Sequence, residues 1–232
     1  MSTKMNQKKI LPVLTLVMMG TLTVLPGCDH RPVQMINDID PFYLDPYRPQ
    51  MHYSRDTAWL SDPNGLFYND GVWHLMFQGM SNRVAWAKVG TNWEHATSTD
   101  LLHWKNEPTV LQGDSLIANW SGGAVVDKGK VWAYYTNHFM DIYPETPNRN
   151  RICIATSEDN GKTWTYNKDR IAVENKQFPS ERDPSVFWHE PSKKWVMATA
   201  GTGHIRFYSS TNLTDWKFES ETLPYPSWEC PS

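Results

Sequence analysis

The sequence contains little cysteine, no excess of charge of either sign and only one long apolar run, and each shortage excludes a class of protein. Three cysteines in 232 residues are too few for a disulfide-stapled fold, and we expect Cys153 and Cys230 to stay outside disulfides. With 22 basic and 25 acidic residues, the net charge of −3 provides no attraction for nucleic acid or an anionic membrane surface. Aromatic residues are abundant instead. The 12 Trp and 10 Tyr are typical both of β-rich cores and of clefts that stack sugars.

The apolar run lies near the N-terminus, between Ile10 and Leu25, and lysines precede it at positions 4, 8 and 9. It is too short for an ordinary membrane-spanning helix and is typical of an export signal. The segment Leu25-Pro26-Gly27-Cys28 fits a lipobox, which predicts that Cys28 becomes the lipidated first residue of a bacterial lipoprotein, anchored on the periplasmic face or the cell surface. A plain signal peptide with an incidental cysteine is the alternative.

These features divide the chain into three parts. Residues 1–28 form the signal peptide, and residues 29–50, which carry four prolines, form a tether. Residues 51–232 are left for a folded domain.

One sequence element occurs three times in that domain. It is rich in Ser, Thr and Asp or Asn, and it ends at Trp104, Trp164 and Trp216. The spacings of 60 and 52 residues between these tryptophans are in the range of a four-stranded propeller blade. The middle copy, Ser157 to Trp164, matches the Asp-box, a structural hairpin turn that implies no chemistry.

A predicted hairpin precedes each copy. Its strands of β-forming residues flank turns at 69–71, 127–129 and 190–194. Each repeat is therefore two hairpins, which make one four-stranded blade. No stretch of the domain has the pattern of a capped amphipathic helix, so the sequence predicts an all-β fold.

A polar motif stands immediately before the first strand of each repeat. The motifs are Asp62-Pro63-Asn64-Gly65, Trp120-Ser121-Gly122-Gly123 and Arg182-Asp183-Pro184-Ser185, and Trp228-Glu229-Cys230 stands where a fourth blade would begin. The first strands of propeller blades line the central axis, so Asp62, Asp183 and Glu229 should converge. Converging carboxylates suit glycoside hydrolysis. The alternative for any single aspartate is a turn-forming role.

The residues also resemble glycoside hydrolase family 32, the invertases, levanases and inulinases. The motifs that carry the resemblance are Trp59 to Gly65 (W-M-N-D-P-N-G in the family), Trp93 to Trp104 (W-G-H-A-x-S-x-D-L-x-H-W), Trp120 to Val125 (F-S-G-S-A-V), Arg182 to Pro184 (R-D-P) and Glu229-Cys230 (E-C). Five motifs in the family's order are highly specific. An arabinanase-like five-bladed enzyme would not combine them.

The resemblance implies an enzyme that cleaves terminal β-D-fructofuranosyl bonds of fructans or sucrose with retention of configuration, without a metal or cofactor. It assigns Asp62 as the nucleophile, Glu229 as the general acid/base and Asp183 as the transition-state stabiliser. Glu229 must hold its proton near neutral pH, which the negative charges of Asp62 and Asp183 would favour. Further residues become candidates for contacts with fructose: Trp59, Asn64, Gln78, Trp86, Ser121 and Arg182. Core packing is the alternative for Trp86, and a structural ion pair for Arg182.

The sequence departs from the family in its motifs and in its length. Ser61 replaces an Asn, Trp120 replaces a Phe, and only Gln78 is left of the family's Q-Y-N-P. The family has five blades followed by a β-sandwich, whereas residues 51–232 suffice for about three blades and the start of a fourth. We therefore expect a truncated chain. The alternatives to an active enzyme are an inactive fragment and a surface lipoprotein that binds fructan.

Overall fold

Short β-forming segments separated by tight turns dominate this chain, and in the structure they pair as antiparallel sheets. The computed structural model describes residues 44–49, 51–55, 57–82, 84–85, 90–139, 149–174, 176–201 and 203–224. Three four-stranded sheets form in these ranges, each with its strands in sequence order. The all-β prediction is confirmed.

Each sheet is one propeller blade. Blade 1 contains β1 (Trp59–Asn69), β2 (Val72–Met80), β3 (Asn92–Ser98) and β4 (Lys105–Leu111). Blade 2 contains β5 (Ile117–Asp127), β6 (Lys130–Phe139), β7 (Asn150–Ser157) and β8 (Thr165–Val173). Blade 3 contains β9 (Arg182–His189), β10 (Lys194–Gly201), β11 (His204–Ser210) and β12 (Lys217–Glu221), with a 3-10 turn at Glu190–Ser192.

The first hairpin of each blade has the turn that its sequence predicts. In blade 1 the two turn residues, Asp70 and Gly71, have φ of 48° and 81°, and in blade 2 Lys128 and Gly129 have φ of 51° and 80°. Two consecutive positive φ values are typical of the turn that matches the right-handed twist of paired strands. In blade 3 the longer connection ends at Lys193, which has φ of 53°.

The three Trp-terminated repeats form equivalent turns between the third and fourth strands. In each, a serine hydroxyl accepts a hydrogen bond from a backbone N–H three or four residues later. The N–H groups of Leu101, Gly161 and Leu213 donate to Oγ of Ser98, Ser157 and Ser210, at 2.8, 2.9 and 2.9 Å. The first two tryptophans donate from Nε1 to the backbone carbonyls of Leu101 and Gly161, each at 3.0 Å. Among the described residues, Nε1 of Trp216 donates to no backbone carbonyl, and the equivalent carbonyl, that of Leu213, accepts from Tyr134 Oη at 2.8 Å instead. The third copy thus keeps the turn and lacks that hydrogen bond.

Apolar side chains between successive blades form the core. The cluster between blades 1 and 2 includes Phe67, Met76, Trp93, Leu111, Val131, Tyr135 and Cys153. The cluster between blades 2 and 3 includes Tyr134, Ile152, Ile154, Val186, Met197, Tyr208 and Leu213. Cys153 is the small core residue that its apolar neighbours predict, and burial raises the pKa of its thiol to about 12, so the thiol is unreactive at neutral pH.

Several predicted features lie outside the described residues. The chain divides into residues 1–44 and 45–232, and the described residues belong almost wholly to the second unit. The signal peptide with Cys28, most of the tether, and Trp86, Glu229 and Cys230 are not among them. Within the described ranges, no helix has the length and apolar character needed to cross a membrane.

A pair of buried histidines lies within the first blade, His74 on β2 and His95 on β3. His74 Nδ1 and His95 Nε2 are 3.1 Å apart, and the His74 ring stacks on Phe67 with 4.5 Å between ring centres. Burial, and then the positive charge of His74, lowers the pKa of His95 from 6.5 to about 4, while Glu107 acts in the opposite direction. Burial also lowers the pKa of His74. Both imidazoles are therefore neutral in the folded protein near pH 7.

This pair predicts a loss of stability in mild acid. Between pH 6.5 and about 4 the unfolded chain binds more protons at His95 than the folded chain does. The contribution of His95 to the free energy of unfolding is therefore fully present above pH 6.5. It falls as the pH drops through this window, by up to roughly 3 kcal/mol. The measurement is the free energy of unfolding in urea at pH 7.5 and pH 4.5, for the unaltered chain and for His95→Gln. An equal loss in both proteins would contradict the assignment to His95.

Candidate active site

The candidate site lies where the first strands of the three blades meet. Strand β5 contacts β1 on one side and β9 on the other, as expected for strands that line a propeller axis. Between them is a pocket of about 420 Å³, and Asp62, Ser121 and Asp183 contribute to its wall. Two of the three predicted catalytic carboxylates, 121 positions apart in the sequence, therefore face the same cavity.

Each of these three strands contains a β-bulge at the site. In β1 the pairs Leu60–Gly79 and Pro63–Phe77 leave one extra residue at Ser61-Asp62. In β5 the pairs Trp120–Thr136 and Gly122–Tyr135 leave Ser121 unopposed. In β9 the pairs Arg182–Ala200 and Ser185–Ala198 leave one extra residue at Asp183-Pro184. The polar residues of all three motifs therefore lie at bulges within the first strands, and not before those strands as the sequence predicted. A bulge interrupts the alternation of side chains and redirects them.

Hydroxyl groups hold the Asp62 carboxylate on both of its oxygens. Ser61 Oγ donates to Oδ1 at 2.8 Å, and Ser121 Oγ donates to Oδ2 at 2.6 Å. The buried Gln78 amide donates to Ser121 Oγ at 2.6 Å and lies 3.4 Å from Asp62 Oδ2. Asp62 itself is exposed to the pocket. The carboxylate is therefore fixed in orientation yet open to a ligand, and Ser61 contributes a hydrogen bond from the position where the family has Asn.

Asp183 occupies an unusual backbone conformation. Its φ is 55°, a left-handed value that disfavours a residue with a Cβ by roughly 1–2 kcal/mol. The Asp183 N–H donates to Thr136 Oγ1 at 2.8 Å, and Arg182 Nε lies 3.0 Å from Asp183 Oδ2. Arg182 therefore forms an ion pair within the motif itself, and Asp183 is held by both its backbone and its side chain.

The remaining predicted contact residues differ in position. Asn64 is 1% exposed and does not line the pocket, whereas Trp59 is half-buried at the start of β1. Sequence reasoning missed Thr136, the buried hydroxyl beneath the pocket. It also missed the stacking of Trp120 on His138, with ring centres 3.6 Å apart. No local signal marks either, because each depends on which strands pair.

Two departures from the family's motifs compensate for each other. A Cβ added to Gly79 would lie 2.5 Å from Cγ of Glu94, so the residue that stands where the family has Tyr must be small here. Glu94, where the family has Gly, is 5% exposed and accepts hydrogen bonds from Ser81 at 2.6 Å and Thr109 at 2.7 Å. The larger side chain thus stands on β3, at Glu94, and the small residue on β2, at Gly79. The hydrogen bonds from Ser81 and Thr109 provide partners for the Glu94 carboxyl group.

Comparison with known proteins agrees with this geometry. The model of the glycosyl hydrolases family 32 N-terminal domain matches residues 52–232. The chain belongs to glycosyl hydrolase family 32. Solved structures related to the chain are five-bladed propellers of that family, and the described residues of this member supply three blades.

Individual relatives cover the same region. The levanase of Bacillus subtilis is 36% identical over an alignment of 199 residues that covers 82% of this chain and 29% of the levanase. The extracellular exo-inulinase of Aspergillus niger is 36% identical over an alignment of 225 residues that covers 82% of this chain and 41% of the inulinase. The structure of the fructofuranosidase from Schwanniomyces occidentalis complexed with fructose has a TM-score of 0.67 at 31% identity and covers 75% of this chain and 36% of that one. This family 32 chain thus spans well under half the length of each.

Gly65 provides a test of how tightly the pocket wall is packed. It has φ of 53°, and an added Cβ would lie 2.8 Å from the Cβ of Ala124 and 2.8 Å from Cε of Met76. Gly65→Ala should therefore lower the free energy of unfolding by about 2–4 kcal/mol. The matched control is Gly71→Ala: Gly71 has φ of 81°, none of the described residues beyond its chain neighbours lies within 4 Å of an added Cβ, and the variant should lose about 1 kcal/mol. Urea unfolding measures both, and equal losses would contradict the steric argument.

Proposed function

We propose that this chain carries the catalytic carboxylates of a retaining β-fructosidase that cleaves terminal β-D-fructofuranosyl bonds in fructans or sucrose. The observation that supports the proposal most strongly is the shared pocket of Asp62 and Asp183, in which Ser61 and Ser121 hold the Asp62 carboxylate by hydrogen bonds. A fixed, exposed carboxylate beside a second one suits attack on an anomeric carbon.

In the proposed reaction, an oxygen of Asp62 attacks the anomeric carbon of the terminal fructosyl unit. The bond from that carbon to the leaving oxygen breaks, and the leaving oxygen takes a proton from Glu229. Water then attacks the fructosyl ester, Glu229 takes the water's proton, and the bond to Asp62 breaks to release fructose. Esterification removes the negative charge of Asp62, so Glu229 is more readily left deprotonated for the second step.

The other pocket residues act on the sugar or on the carboxylates. Asp183, held beside Arg182, accepts hydrogen bonds from fructose hydroxyls, which strengthen as positive charge develops on the ring. Ser121 and Gln78 orient Asp62, and Ser121, which lines the pocket, is also available to sugar hydroxyls. We also assign Trp59 and Trp86 to the fructose subsite, whereas Asn64, which is buried and does not line the pocket, is assigned a supporting role behind its wall. A relative that was solved with fructose bound supports the substrate class.

Removal of either reacting carboxylate should abolish turnover and spare binding. Asp62→Asn and Glu229→Gln should each reduce fructose release from sucrose, inulin or levan by at least about 10³-fold, because each removes a group that acts only in bond making or proton transfer. Affinity for fructose, measured by calorimetry, should stay within about threefold, because most polar contacts with the sugar are unchanged.

The unaltered chain is the control for this test. Turnover retained by either variant would contradict the assigned roles. Fructan binding by the unaltered chain without release of fructose would support the second candidate, a surface fructan-binding protein.

We further propose that the chain is exported and anchored by a lipid on Cys28. The order of lysines, apolar run and Leu25-Pro26-Gly27-Cys28 supports this placement, and one relative is an extracellular enzyme. Membrane attachment would hold the protein where extracellular fructan is encountered.

Replacement of Cys28 tests the anchor. Expressed in a bacterium supplied with labelled palmitate, the chain should incorporate label and sediment with membranes, and Cys28→Ser should do neither, because the thiol that receives the lipid is absent. Cys153→Ala is the control, since that thiol is buried and should not affect labelling. Label retained by Cys28→Ser would overturn the proposal.

A further inference from the structure

Thr136 lies in β6 directly beneath the pocket and is completely buried. Its hydroxyl donates to the backbone carbonyl of Ser121 at 3.0 Å and accepts the backbone N–H of Asp183 at 2.8 Å. A hydroxyl has one proton and two lone pairs, so it can form both hydrogen bonds at once. One side chain of blade 2 therefore joins the inner strands of blades 2 and 3.

Both backbone groups lie at β-bulges. Ser121 is opposed by no residue of β6, and Asp183 and Pro184 together oppose a single residue of β10. A bulge leaves its extra residue outside the regular ladder, and a buried backbone group without a partner is strongly unfavourable. The Thr136 hydroxyl supplies the partner at both bulges.

The two bulge residues that bind Thr136 determine the positions of the two carboxylates, because Ser121 is hydrogen-bonded to Asp62 and Asp183 carries the second carboxylate itself. Ser121 Oγ donates to Asp62 Oδ2 at 2.6 Å, so the position of the Ser121 backbone determines where that hydrogen bond is formed. The direction of the Asp183 side chain follows from its left-handed backbone, with φ of 55°, and the hydrogen bond to Thr136 holds the N–H of that same residue. Displacement of the hydroxyl would disturb both carboxylates together.

We propose that Thr136 is a positioning residue whose hydroxyl sets the separation and orientation of the Asp62 and Asp183 carboxylates from beneath the pocket. Its hydrogen bonds are to the backbone of Ser121 and Asp183, and it acts through them. The kinetic consequence rests on the proposed function, whereas the structural consequence does not.

The test compares two replacements of Thr136. Thr136→Val removes the hydroxyl and keeps the shape, whereas Thr136→Ser keeps the hydroxyl. We expect the valine variant to lose about 10- to 100-fold in kcat for fructose release with KM changed less than about threefold, since small misplacements of reacting groups have effects of this size. The serine variant should stay within about threefold of the unaltered chain in both constants.

Thr156→Val is the matched control. Thr156 is a buried threonine of the same blade, in β7, and its hydroxyl accepts a hydrogen bond from Arg170 at 3.1 Å. A loss of kcat in this control equal to that of Thr136→Val would indicate general destabilisation and overturn the proposal.

A second readout does not depend on turnover. The Asp183 amide should exchange with solvent at least about 100-fold more slowly than in an unfolded peptide, and Thr136→Val, but not Thr136→Ser or Thr156→Val, should remove most of that protection. Unchanged protection in Thr136→Val would overturn the proposal. If the valine variant does not fold, rapid exchange of the Asp183 amide proton in the unaltered chain would overturn the proposal instead. Absence of fructose release by the unaltered chain would count against the proposed function alone, because the exchange measurement still decides the role of Thr136.

Discussion

The site depends on one constraint, the extra residue in the first strand of every blade. A regular strand would direct alternate side chains to opposite faces of its blade. The bulges at Asp62, Ser121 and Asp183 interrupt that alternation and bring polar side chains to the axis. Each bulge also leaves backbone groups that need partners, so the site requires hydrogen-bond donors and acceptors from beneath, and Thr136 supplies two of them.

The packing between blades makes those hydrogen bonds possible. Apolar clusters on both faces of blade 2 set the distance from β5 to β1 on one side and to β9 on the other. The hydrogen bond from Ser121 to Asp62 crosses the first interface, and that from Asp183 to Thr136 crosses the second. Stability of the core and geometry of the site are therefore coupled, because movement of one blade against another would change both hydrogen bonds.

The departures from the family's motifs follow the same physical rules. Ser61 retains a hydrogen-bond donor to Asp62 where the family has an amide. Gly79 and Glu94 are explained only as a pair, because the space that the glycine leaves is filled by the glutamate, whose carboxylate is hydrogen-bonded to its neighbours. A buried carboxyl group is tolerated when hydrogen-bond partners surround it.

Local patterns in the sequence determined the elements of this protein, whereas contacts between distant residues determined how its site is supported. Turn residues such as Asp70-Gly71 and the repeated tryptophans predicted the hairpins and the three blades, because turn chemistry and strand alternation act over a few residues. The repeat also placed Asp62 and Asp183 at one end of the axis. The bulges, the buried hydroxyl of Thr136 and the His74–His95 pair were decided by tertiary structure alone. Each requires a particular strand register and blade spacing, and these arise only when apolar faces far apart in the sequence pack together.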